Sequence, residues 1–263
     1  MQEIAYIALL LLGIYLLLAA FLYLFQRKLI YFPVAVDPAF DAQAVVVDNH
    51  GLQLHGWVLN PGKDKAVVYF GGNSELITHR RGFFEDVFRD YSVYLIDYRG
   101  YGNSEGNPSE AGLFSDALAI FDFVSTAHNS ITAYGRSLGS GVAVYLAANR
   151  RLEKLILLTP YDSVAEVAQK IYPWFPVRYL IKDSFDSAAL AGDIEIPVLI
   201  TSAEFDREIR LPHTLALKRH FSRALLDYQM IAGAAHNNIV DFPDYRDTVR
   251  AFVIERQAKP DDS

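Results

Sequence analysis

Cysteine is absent from the chain. Disulfides, thiolate metal sites and a cysteine nucleophile are therefore excluded, and any covalent catalysis must run through another side chain. The absence fits a reducing compartment, although secreted proteins without cysteine also occur. Basic residues are in the minority, 24 Lys and Arg against 31 Asp and Glu, for a formal net charge of −7. No basic stripe with interleaved aromatics runs along any segment, so nucleic acid is not the expected partner. Internal repeats and low-complexity linkers are also missing. Between Ile4 and Phe25 no charged residue occurs at all.

That last absence defines the first segment. At ~1.5 Å per residue, a helix of this length reaches across a hydrocarbon layer ~30 Å thick. Tyr6, Tyr15 and Tyr23 are dispersed along it and so do not fix its depth. A cleaved signal peptide would want a basic n-region, where this chain has Met1, Gln2 and Glu3. A buried core helix would show a polar solvent face, and none is visible. The expectation is a retained transmembrane anchor over residues 4–25. Arg27 and Lys28 follow it and no Lys or Arg precedes it, which places the C-terminal domain on the cytoplasmic side. In the juxtamembrane segment, residues 26–42, Leu29-Ile30-Tyr31-Phe32-Pro33 either lies at the headgroup level or packs on the domain.

From residue 43 to about 258 the pattern alternates between strands and helices, the mark of a parallel sheet covered on both faces. Val45 to Val47 and Leu52 to Leu59 read as a hairpin around Asp48-Asn49-His50-Gly51. Ala66 to Phe70, Ser92 to Ile96, Ile131 to Tyr134, Lys154 to Leu158, Pro197 to Thr201 and Leu225 to Ile231 read as strands. Helices are expected from about Glu75 to Arg89, after Ser109, over Val142 to Ala148, from Pro212 to Phe221, and from Phe242 to Gln257. Lys259 to Ser263 look frayed. Between Pro160 and Pro197 an apolar insertion, about 160–196, reads as a small cap.

Gly135-Arg136-Ser137-Leu138-Gly139 sits between one of these strands and a helix of small residues. This is the context of a nucleophile elbow, in which a serine on a sharp turn exposes its hydroxyl and flanking glycines permit close packing. A serine nucleophile needs a base, and the base needs an acid. Where such an elbow lies in an α/β-hydrolase the acid follows the serine, and the histidine follows the acid. His213, His220 and His236 alone follow Ser137. His213 and His220 fall on a helix and read as surface residues; His236 follows a strand and the loop Ala232-Gly233-Ala234-Ala235, where a general base belongs. For the acid, the loop after Pro197 to Thr201 offers Glu204, Asp206 and Glu208. Asp206 is the choice, Glu204 the reserve and Asp162 a more distant possibility, while Asp227 lies within a strand and reads as structural. The oxyanion needs backbone donors, expected from Leu138 and from Asn73 in the loop Phe70-Gly71-Gly72-Asn73.

With these residues in view, the chain resembles a membrane-anchored alpha/beta-hydrolase-domain (ABHD) serine hydrolase of the Bem-type branch. The likeness is carried by Leu29 to Pro33, Tyr69 to Asn73, Asp97 to Gly106, the elbow, Thr159 to Ser163, Pro173 to Arg178 and Gly233 to His236, and so spans nearly the whole chain. It implies an alpha/beta-hydrolase fold with Ser137, Asp206 and His236 as triad, Asn73 and Leu138 as oxyanion donors, and Asp97 and Arg99 structuring their loop. It also implies acyl esters or thioesters of lipids or lipidated proteins as substrates. Two departures stand out. Gly71 replaces a histidine usual before the oxyanion glycine, and Ser202-Ala203 replaces a His-Gly usual before the acid. Nothing in the pattern calls for a cofactor or metal. A non-catalytic membrane-tethered binding module on the same fold and a peptidase are the rival readings.

Overall fold

The computed structural model describes residues 1–36 and 40–255. Helix α1 (Gln2–Ile30) is long and apolar enough to cross a membrane by length and composition. It contains the whole of the expected anchor and runs five residues further, because Gln26, Arg27 and Lys28 are good helix formers and Pro33 lies beyond them. Strands β1 (Gln43–Asn49) and β2 (Leu52–Leu59) form the expected hairpin. His50 and Gly51 both take positive φ, the paired left-handed conformation that a two-residue hairpin turn demands.

The remaining strands are β3 (Lys65–Phe70), β4 (Tyr91–Ile96), β5 (Ser130–Arg136), β6 (Lys154–Leu158), β7 (Val198–Ala203) and β8 (Leu226–Ile231). They form one eight-stranded sheet in the order β1-β2-β4-β3-β5-β6-β7-β8, parallel from β4 to β8 and antiparallel at β1 and β2. Alternate side chains point to opposite faces. Val68, Ala133, Leu155, Leu157 and Ile200 pack under α3 (Glu110–Ser125) and α4 (Leu138–Asn149). Val67, Tyr69, Tyr134, Ile156 and Leu199 pack on the other face with α2 (Arg81–Val87) and α9 (Pro243–Glu255). Strands covered on both sides read as continuous apolar runs. Of the closing helix expected to reach Gln257, its last two residues, and Lys259 to Ser263, lie outside the described residues.

Between β6 and β7 the cap holds α5 (Val164–Ile171), α6 (Val177–Leu180) and α7 (Ser187–Ala191); α8 (Leu211–His220) follows β7. Ser109, Ser163 and Asp186 cap α3, α5 and α7 by accepting the backbone N–H three residues on. The helix expected over Glu75 to Arg89 is instead a 3-10 turn, Ile77–Arg80, leading into α2. Glu75 cannot begin a helix there, because its carboxylate turns inward to receive the Gly72 N–H at 2.6 Å.

Candidate active site

The order β4-β3-β5 reverses the direction of winding at β3, and a crevice opens at such a point beyond the carboxyl ends of the strands. Phe70, Arg136 and Ala203 end their strands there. Ser137 follows β5 with φ 48° and ψ −117°, a strained conformation for a residue with a side chain. Its N–H donates to the Leu158 carbonyl (3.0 Å), and its carbonyl accepts from the N–H and Oγ of Ser140 (2.9 and 2.6 Å). The glycines on either side are required by close approach. A Cβ on Gly135 would stand 2.4 Å from the Gly139 oxygen, and one on Gly139 2.0 Å from the Phe70 oxygen. Leu138 is the first residue of α4, so its N–H has no partner one turn earlier in the helix.

Asp206 and His236 meet directly. Asp206 Oδ2 lies 2.7 Å from His236 Nδ1, and both side chains are buried. The other oxygen, Oδ1, accepts from the N–H groups of Glu208 (2.9 Å) and Ile209 (2.8 Å). Three bonds to one carboxylate fix its plane. Glu204, the reserve acid, does something else: its Oε2 accepts from Gly233 N–H at 2.8 Å and pins the loop that carries His236. The other ring nitrogen of His236 faces Glu208 Oε2 at 3.5 Å, and among the described residues it makes no hydrogen bond to Ser137.

Asp162, the distant alternative, is engaged elsewhere, with His213 Nδ1 at 2.8 Å. This corrects the reading of His213 as a surface residue. It is 7% exposed, on the face of α8 that buries Thr214 and Leu217, and ties the start of the cap to α8. His220 is exposed as expected, and Asp227 lies within β8. Arg99 forks onto Asp116 (2.7 and 2.6 Å), holding the Asp97 to Gly106 loop to α3. Asp97 itself is buried, and burial pushes its carboxyl up to about 7.

Asn73 is welded in place. Its Oδ1 accepts from Phe32 N–H (3.0 Å), Tyr101 O–H (2.9 Å) and Ser74 N–H (3.0 Å), and its Nδ2 donates to the Ile30 carbonyl. The loop therefore hangs on the last residue of α1. Beneath it sits a charge network that sequence reasoning missed. Glu75 Oε2 bonds Tyr69 O–H (2.8 Å) and faces Arg136 Nη1 (3.1 Å), while Oε1 pairs with Arg80. Burial alone would raise the Glu75 carboxyl, but Arg136, Arg80 and the Gly72 N–H outweigh it and hold it below the usual range. Arg136 also donates to the His236 carbonyl (3.2 Å) and to Asn237 Oδ1 (2.7 Å). A Cβ on Gly72 would stand 2.5 Å from Arg136 Nη1 and would displace the guanidinium from Glu75. A charged residue closing an otherwise apolar strand was the only signal in the sequence.

Ser137, Leu138 and Asn73 line one cavity of about 290 Å³, with Tyr161, the cap residues Val164, Val167, Ile171, Tyr172 and Phe175, and Glu208 at its side. One wall is α1 itself, through Ala19, Leu22, Tyr23, Gln26, Leu29 and Ile30. That spacing, three and four residues apart, is a single helical face.

A strand-elbow-helix at the switch point of such a sheet defines an alpha/beta hydrolase. Residues 65–193 match the family model described as alpha/beta hydrolase fold. An uncharacterized protein of Mycobacterium tuberculosis is 34% identical over 255 residues, 88% of each chain. The chain belongs to the alpha/beta hydrolase family. An uncharacterized membrane protein of Saccharomyces cerevisiae is 26% identical over 90% of this chain and 92% of its own. The alpha/beta hydrolase domain-containing protein WAV2 of Arabidopsis thaliana is 26% identical over 72% of this chain and 73% of its own. Among solved structures, the esterase Pf2001 of Pyrococcus furiosus superposes with a TM-score of 0.69 at 16% identity, covering 85% of this chain and 98% of that one. Est1E of Butyrivibrio proteoclasticus, with ferulic acid bound, gives 0.66 at 18% identity over 82% and 100%. These structures share the fold.

Proposed function

We propose that the protein is a membrane-anchored serine hydrolase that cleaves acyl esters or thioesters of lipids or lipidated proteins. The observation that carries the reading is the 2.7 Å contact of buried Asp206 with His236, on loops flanking a strained Ser137 at an apolar cavity. In this reaction Ser137 Oγ attacks the acyl carbon while His236 Nε2 takes its proton. Asp206, on Nδ1, holds the ring and stabilises the imidazolium. The N–H groups of Leu138 and Asn73 receive the oxyanion, and losing one such donor typically costs ~100- to 1,000-fold. Collapse breaks the C–O or C–S bond as His236 returns the proton to the departing alcohol or thiol. Water then repeats the cycle on the acyl-enzyme.

The absence of a Ser137–His236 hydrogen bond at rest is compatible with this chemistry, since such contacts often tighten only when substrate is bound. A non-catalytic binding module on the same fold could also lack that bond. A fluorophosphonate probe separates the two readings: a hydrolase becomes labelled at Ser137, and a binding module does not. Arg27 and Lys28, directly after the apolar span, favour a cytoplasmic hydrolase domain.

A further inference from the structure

The cap does not stand apart from α1; it runs alongside it. Arg27 pairs with Asp183 (2.9 Å), Gln26 bonds Leu180 O (3.3 Å) and Lys182 N (2.6 Å), and the Lys182 ammonium stands 4.4 Å over the Tyr23 ring. Further toward the N-terminus, Tyr15 donates to the Trp174 carbonyl (3.1 Å) and stacks on Phe175, centroids 5.0 Å apart and rings 3° from parallel. Tyr23 to Tyr15 is eight residues, or ~12 Å along a helix. Among the described residues, the charged contacts between α1 and the cap end at Tyr23. From there back to Gln2 the helix measures ~32 Å, about one hydrocarbon layer. A span that begins at the Tyr23 level therefore carries the tip of the cap with it, to a depth within one leaflet.

The cap's surface suits that position. Trp174, Tyr179 and Ile171 are 85%, 88% and 62% exposed, and Phe21, Leu24 and Phe25 on α1 are exposed as well. The opposite charges Glu166 and Arg178 are paired with each other (2.6 Å), and Lys170 has a long stem that lets its charge reach the headgroups.

We infer that α1 and the cap form one membrane-inserted unit, and that the Ser137 cavity opens between them into the acyl-chain region of one leaflet, admitting a chain of a bilayer lipid sideways. The identity of the entering group rests on the hydrolase reading; the immersion of the cap does not, and its test involves no turnover. The chain has two tryptophans, and the other, Trp57, lies in β2 with its ring against Phe40. Full-length Trp57→Phe protein in phosphatidylcholine vesicles therefore reports Trp174 alone. Lipids brominated along the acyl chain should quench at least half of its emission, and aqueous acrylamide should add little. Quenching by acrylamide with no effect of bromolipids would overturn the inference and make α1 a simple tether. Should Trp57→Phe fail to fold, the difference between wild type and Trp174→Phe reads the same quantity.

Discussion

Arg136 donates from Nη2 to the main-chain oxygen of His236 while its Nη1 faces Glu75, so one guanidinium joins the His236 loop to the Gly71-Gly72-Asn73 loop. On the proposed mechanism Arg136 is a positioning residue. Lysine keeps the charge but not the planar fork. Arg136→Lys is expected to lower kcat on a soluble ester by ~10- to 100-fold through misplacement of His236. KM should change far less, and fluorophosphonate labelling of Ser137 should slow in step with kcat. An unchanged kcat would show that the bridge is structural only.

The elbow and the histidine were legible in the sequence because each depends on local chemistry. Glycines at fixed offsets around Ser137 report a tight turn, and a strand followed by a short loop placed His236. The alternation of apolar runs and amphipathic segments also gave the sheet its class. The Glu75–Arg136 pair was not legible, since the two come together only when β3 and β5 pair. His213 was misread for a related reason. Its burial depends on Asp162, fifty-one residues away, which no pattern within α8 announces. That α1 walls the cavity follows from tertiary packing, and its uniform hydrophobicity concealed which face is used.

Because Asn73 is bonded to Ile30 and Phe32, the loop proposed to receive the oxyanion depends on α1. Removal of residues 1–30 is expected to disturb that loop. The truncated chain should lose over tenfold in kcat/KM on a short soluble ester in detergent. Asn73→Ala should reproduce that loss in the full chain, together with a stability cost of ~1 kcal/mol for each of the hydrogen bonds given up. Full activity in the truncated domain would show the contact to be incidental.

Asp97 supplies a pH signature. Burial pushes its carboxyl up to about 7, whereas in an unfolded chain it titrates near ~3.9. Across that interval the folded state keeps a proton that the unfolded state has lost. Its contribution to stability is therefore fully present below about pH 4 and is lost as pH rises toward about 7, by at most ~1.4 kcal/mol per pH unit. Asp97→Asn cannot ionise. It is expected to flatten the decline in Tm between about pH 5 and 7 and to be the more stable protein at about pH 8. Parallel Tm profiles for the two proteins would rule out a raised Asp97.

The whole reading turns on whether Ser137 is a nucleophile. The measurement to make is hydrolysis of p-nitrophenyl esters of increasing chain length, by wild type and Ser137→Ala, in detergent at equal protein concentration. Wild-type turnover with an optimum at an intermediate or long acyl chain, falling by ~1,000-fold or more in Ser137→Ala, is the expected result. Equal rates in the two proteins, or no turnover of any ester by wild type, would contradict it.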